Sequence, residues 1–248
     1  MRRKGFTLVE LLVVIAIIAL LMGILMPALA RVRQLAFRMT CGTNLSGIGK
    51  AMLIYANDYE DELPKSGGRT TTWGPLTGNN WTASSRITAY GLSSTDGSGG
   101  KASISSCFYM LVKYAEVTPK SFICKGDSGT SEFKLSDVSG TTLASDFELI
   151  DAWDFGPQAT AYKSCSYSYH LPFNNSYALT VSSEPGFAVA SERNPFLISP
   201  AGTATVFTTF KPDLTGFGGT TETAKLGNAL SHQQEGQNVM FLDTHVEF

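Results

Sequence analysis

Apolar residues crowd the first thirty positions of the chain and then thin into a spaced stripe. Positions 11–30 carry no charged residue, a run long enough for a helix to cross the roughly 30 Å hydrocarbon core of a bilayer. Further on, Leu45, Ile48, Met52, Tyr55 and Tyr59 recur at spacings of 3, 4, 3 and 4, which is one face of an amphipathic helix. The pattern predicts one long helix over residues 6–57, about 6–30 of it in the membrane, with an extracytoplasmic globular head at 58–248. Gly42, Gly47 and Gly49 lower helix propensity but permit close approach of a sheet or a second helix. Pro27 removes one backbone hydrogen bond and marks the expected break or bend.

Past the helix the periodicity weakens. Asn57, Asp58, Glu60, Asp61 and Glu62 crowd its end before Pro64; they read as a solvated helix exit, and their spacing matches no calcium loop. Residues 66–103 are rich in Gly, Ser, Thr and Asn, with Trp73, Trp81 and Tyr90 placed to pin them to the head and SSTDGSGGKAS as a flexible tip. A short helix, CFYMLVKYAEV, is expected next, capped by Ser105 or Ser106, with Phe108, Leu111, Val112 and Ala115 facing inward. The β-branched run 201–210, between Pro200 and Pro212, predicts a strand, and NVMFLDTHVEF predicts a closing hairpin turned at Asp243-Thr244.

Composition narrows the class. With 43% hydrophobic residues, the 248-residue chain can bury one sizeable core. Only 16% of residues are charged, which suits a secreted, loop-rich head, and a net charge of −2 gives nucleic acid no bulk attraction. Cys41, Cys107, Cys124 and Cys165 all follow the apolar run. In an oxidising compartment they favour one or two disulfides, and three full pairings are open. No CxxC or Cys/His cluster at zinc spacing occurs. His232, Asp243 and His245 could meet across the hairpin around a divalent metal, but polar residues at strand ends are the better expectation. Motifs for a nucleophile elbow, a metalloprotease helix, a phosphate loop or a dinucleotide fold are missing. No enzyme and no cofactor is expected.

The leader is the sharpest signal. Arg2, Arg3 and Lys4 precede Gly5 and Phe6, and the apolar run is too long for an ordinary secretory signal and continues into MPALARVR without a turn signal except Pro27. The cations hold the N-terminus on the cytoplasmic side. Glu10 is the anomaly, because a carboxylate at the centre of a membrane helix costs about 2.5–3.5 kcal/mol and seeks a cation. Complementing its own helix N-terminus would return only about 0.3–1 kcal/mol.

The stretch KGFTLVELLVVIAIIALL resembles the class III leader of type IV pilins and type II secretion pseudopilins. That resemblance implies cleavage by a prepilin peptidase between Gly5 and Phe6, N-methylation of Phe6, and a Glu10 that pairs with the new amino terminus of a neighbouring subunit. It also implies an α+β, pilin-like fold, with the long N-terminal helix packed on an antiparallel β-sheet head that carries long loops. The implied partners are the peptidase, like subunits or other pilins and pseudopilins, and an inner-membrane assembly platform. The implied location is a single pass in the inner membrane with the head in the periplasm, followed by assembly into a type II secretion pseudopilus or a type IV pilus-like filament. The alternative is a membrane-anchored extracytoplasmic binding domain that does not polymerise.

Looser likenesses point to a planctomycete-type branch of these prepilins. CGTNLSGIGKAMLIYANDYEDELP, beyond the membrane part of the helix, resembles that branch's C…NL…IG…A…YA-D segment, SFICKGD resembles an F-x-C-P-x-D element with Lys125 in place of proline, and SCSYSYHLPFN resembles an S-Y-x-x-N strand. A Cys124–Cys165 disulfide would join these last two elements. The C-terminus resembles an H-x9-D-G motif, but ten residues separate His232 from Asp243 and Thr244 stands where glycine is usual. A different turn geometry is therefore expected there.

Overall fold

The computed structural model describes residues 7–74, 76, 80–170, 179–193 and 227–248. Helix α1 spans Leu8–Asp58, about 77 Å at 1.5 Å per residue. Thr7 starts it with a reciprocal capping box, its hydroxyl accepting from the Glu10 backbone while Glu10 reaches back to the Thr7 backbone. The C-terminal turn closes with Asp61 N–H donating to Ala56 O at 2.9 Å, and Glu60 and Asp61 take left-handed φ values of 53° and 61°. The break expected at Pro27 does not occur, and α1 continues through it as one helix. Proline deletes a single rung, and the hydrogen bonds on either side hold the ladder.

The two halves of α1 differ in what they touch. From Leu8 to Met39 the large apolar side chains other than the half-buried Phe37 stand exposed. From Cys41 onward one face is buried through Leu45, Ile48, Met52 and Tyr55, and Tyr59 packs partly buried at its end. The apolar spacing therefore located the packed face.

Against that face lies a four-stranded antiparallel sheet in the order β3 (Tyr167–Tyr169), β4 (Ala188–Glu192), β5 (Val239–Phe241) and β6 (Val246–Glu247). Tyr169 pairs with Ala190, Ala190 with Met240 and Met240 with Val246, and the β4–β5 register shifts between Ala188 and Ala190. At Gly49 a Cβ would lie 2.5 Å from Met240 Sδ and 3.3 Å from Thr244 Cβ. The glycine lets the helix sit directly on the sheet. A long apolar N-terminal helix on such a sheet is an α+β, pilin-like layout. The strand expected at 201–210 lies outside the described residues.

Short elements β1 (Thr72–Trp73), α2 (Arg86–Tyr90) and β2 (Lys101–Ala102) precede helix α3 (Ile104–Tyr114), with β1 and β2 pairing in parallel. The cap of α3 is Ser103, in a capping box with Ser106, rather than Ser105 or Ser106. Its burial is also wider than one face: Ser106 to Val112 are all buried. The cause is the loop-rich segment that covers its outer side, where Phe133 and Phe155 meet Tyr109 edge-on and Tyr109 donates to Leu149 O at 2.8 Å. Trp81 and Tyr90 are buried pins, with Tyr90 donating to Trp153 O at 3.0 Å. The glycine-rich tip is closed by Ser93 N–H to Ser98 O at 2.9 Å and Gly97 N–H to Ser93 O at 2.9 Å.

The disulfide joins Cys41 to Cys124, not Cys124 to Cys165, and spans 83 residues of sequence with a Cα–Cα distance of 5.3 Å. Asn44, one turn along α1, donates to Ile123 O at 3.2 Å and so draws the Cys124 loop onto the helix. Cys165 is a free, buried thiol that donates to Tyr167 O at 3.4 Å.

Candidate functional site

The first candidate site is the N-terminal end of α1. Gly5 and Phe6 lie outside the described residues. Immediately after them, Glu10 Oε2 accepts from Thr7 N–H at 2.8 Å and from the Thr7 hydroxyl at 2.7 Å. Within a single chain, then, the anomalous acid caps its own helix, and Thr7 and Glu10 both lie on the C-terminal side of the Gly5–Phe6 bond. Among the described residues α1 is the one helix long and apolar enough to cross a membrane, and none of its most apolar window is covered by the rest of the chain. An exposed apolar surface of this extent needs lipid or another protein around it.

The hairpin candidates do not form one site. Asp243 Oδ1 accepts from the His245 backbone at 3.1 Å and from its ring, and His245 stacks on Phe241 with ring centroids 4.4 Å apart. These hydrogen bonds from His245 hold the Asp243 carboxyl below the usual carboxylate range. His232 is instead buried, with Nε2 2.5 Å from Glu192 Oε1. The two histidines thus serve separate jobs, a turn and a core contact. Thr244 adopts a φ of 70°, the left-handed conformation that glycine would supply, so the turn keeps that geometry at the cost of a β-branched residue in it.

His232 belongs to a cluster that spacing did not reveal. Cys41, Cys124, Glu192 and His232 are all buried, and one donor atom from each lies within 4.8 Å of the others. Glu192 is held on all sides: Oε2 accepts from Asn238 N–H at 2.8 Å, and Oε1 accepts from Asn238 Nδ2 at 3.0 Å. Cys124 Sγ lies 3.8 Å from Glu192 Oε1 and 4.0 Å from His232 Nε2. Glu192 closes the strand AVASE, where alternation alone gives no hint of a buried acid. Among the described residues, this is the group in which three or more metal-ligating side chains converge. The acidic exit of α1 shows no such convergence, and Glu62 pairs with Lys65 at 3.0 Å.

Two other buried thiols are chemically quiet. Burial pushes Cys107 up to about 11 and Cys165 up to about 12, so neither offers a thiolate at neutral pH. Asp154 is different: burial raises its carboxyl to about 7, although Phe155 N–H at 2.8 Å and Ser105 Oγ at 3.2 Å both donate to it.

Residues 1–26 match the family described as the prokaryotic N-terminal methylation motif, the signature of type IV pilins and pseudopilins. No curated protein and no solved structure matches the chain. The motif supports a type IV pilin-like prepilin substrate, and it indicates a structural, pilin-like subunit. It implies processing by a prepilin peptidase and assembly with pilin-type subunits, and together with the apolar helix it is consistent with membrane anchoring.

Proposed function

We propose that the chain is a prepilin-like structural subunit, cleaved between Gly5 and Phe6, N-methylated at Phe6, and assembled through α1 into a type II secretion pseudopilus or a type IV pilus-like filament. Before assembly it is held in the inner membrane by α1 with its head in the periplasm. The observation that carries this reading is the continuity of the methylation motif with an uncovered apolar half-helix. A monomeric anchor needs such a helix but has no use for a peptidase motif or for an acid at Glu10.

Cleavage changes the electrostatics of that acid. It creates a positive amino terminus on Phe6, and bundling of α1 helices brings this amine on one subunit within reach of Glu10 on the next. The Thr7 cap keeps Glu10 at the end of the helix until a neighbour arrives. An isolated membrane-embedded carboxylate is costly, so the intersubunit pair favours one register.

N-terminal mass analysis of the mature protein, produced with and without a cognate prepilin peptidase, tests the processing step. The expected product with peptidase begins at a methylated Phe6. A mature chain that still carries residues 1–5 in the presence of active peptidase overturns the proposal.

A further inference from the structure

The buried group around Cys41 contains two sulfurs, one imidazole nitrogen and one carboxylate oxygen. These are the donor types that zinc takes. Bond lengths of 2.0–2.3 Å in a tetrahedral zinc site place its donors about 3.3–3.8 Å apart. The contacts from Cys124 Sγ to Glu192 Oε1, 3.8 Å, and to His232 Nε2, 4.0 Å, lie at or just beyond that span. The His232–Glu192 contact at 2.5 Å is shorter, and a metal between them needs an opening of about 1 Å.

We propose that, before the cysteines are oxidised, Cys41, Cys124, Glu192 and His232 form a closed structural zinc site, and that the disulfide and the metal are alternative ways of locking the same junction. The four ligands come from separate parts of the fold: α1, the loop after the 3₁₀ turn Pro119–Phe122, the end of β4, and the 3₁₀ turn Leu230–His232. With four protein donors and full burial, no coordination position is left for substrate, so the role is structural. Asn238 supplies the support that such sites require, since its two donors to Glu192 fix the carboxylate and offset the surplus negative charge. Ligand separations of 83, 68 and 40 residues explain why no zinc spacing is visible in the sequence.

The chemistry branches at the thiols with which every chain is synthesised. Along one branch Zn2+ binds two thiols, forming two zinc–sulfur bonds and releasing two protons. Along the other, a disulfide-bearing oxidant accepts two electrons and two protons from the pair, becoming a dithiol as the Cys41–Cys124 bond forms. Bound zinc removes the free thiolates that exchange requires and so holds back the second branch. The inference stands whether or not the chain polymerises.

The test uses the full chain in detergent micelles, purified without oxygen in a phosphine reductant, with Zn2+ as the probe. The expected result is one zinc per reduced chain after desalting and none on the disulfide-bonded chain. In the wild-type protein zinc shields Cys41 and Cys124 from alkylation, read by peptide mass, while labelling of Cys107 and Cys165 is unchanged. Asn238→Ala weakens the affinity about tenfold or more. Reduced wild-type chain that retains no stoichiometric zinc, oxidised chain that binds as much as reduced, or alkylation of Cys41 and Cys124 that zinc does not slow would each overturn the proposal.

Discussion

His232 Nε2 lies 2.5 Å from Glu192 Oε1 with both side chains essentially sealed from water. The same carboxylate also takes both Asn238 donors, so one residue at the end of β4 satisfies buried polar groups on the segment before β5 and on the 3₁₀ turn ahead of it. Glu192→Ala strips three donors of their acceptor at once. It is expected to cost about 3–5 kcal/mol, read as a lower urea midpoint. Glu62→Ala, which breaks the half-exposed pair with Lys65, should cost no more than about 1 kcal/mol in the same assay.

The Cys41–Cys124 bridge ties the helix to the head across 83 residues. A loop of that length restricts the unfolded chain enough to contribute about 4–5 kcal/mol. In the oxidised, metal-free protein the double substitution Cys41→Ala, Cys124→Ala should lose most of that in equilibrium unfolding. Cys165→Ala should leave the bridge intact, so a non-reducing peptide map of that variant is expected to recover the Cys41–Cys124 pair unchanged.

Thr244 sits at a φ of 70° in the β5–β6 turn, a conformation that costs a residue with a Cβ about 1–2 kcal/mol. Glycine relieves it but adds about 0.5–1 kcal/mol of unfolded-state freedom. Thr244→Gly is therefore expected to be stabilising by up to about 1 kcal/mol, seen as a small rise in melting temperature.

These sites differ in how far the sequence disclosed them, and the reason is range. Leu45, Ile48, Met52 and Tyr55 were legible because a helix repeats its buried face every 3.6 residues. Gly49 was legible as a point of close approach. The all-round burial of α3 was not, since its outer side is covered by the non-periodic segment carrying Phe133, Leu149 and Phe155. The partnership of His232 with Glu192, and the choice of Cys41 over Cys165, depend on which strands and loops meet in space. Local pattern carries no information about such meetings, and likeness of the flanking segments suggested the wrong partner for Cys124.

Asp154 makes stability depend on pH in an unusual direction. Burial raises its carboxyl from 3.8 in the open chain to about 7 in the fold. Between those values the folded state binds more protons than the unfolded state, so stability declines as pH rises. The contribution is complete below about pH 4 and lost by about pH 7, on the order of 4 kcal/mol for a shift of this size. Asp154→Asn keeps an acceptor for Ser105 and Phe155 but cannot ionise. The stability difference, Asp154→Asn minus wild type, should grow steadily across that window in urea titrations; a difference independent of pH would contradict the assignment.

The cap is one role of Glu10 and the intersubunit pair of the proposed function would be a second, and one substitution divides them. The carboxylate caps α1 through Thr7, and glutamine at the same position also completes a capping box. Glu10→Gln therefore retains the start of the helix, membrane insertion and cleavage after Gly5, while it removes the charge that the amino terminus of a neighbour would meet. Loss of about 1.4 kcal/mol per contact lowers subunit affinity tenfold, and a polymer repeats that loss at every contact. Sedimentable filament should fall sharply for Glu10→Gln while mass analysis still finds the processed Phe6 terminus. If filaments of Glu10→Gln instead form at the wild-type yield, capping alone accounts for the acid, and the intersubunit ion pair is excluded as the determinant of assembly.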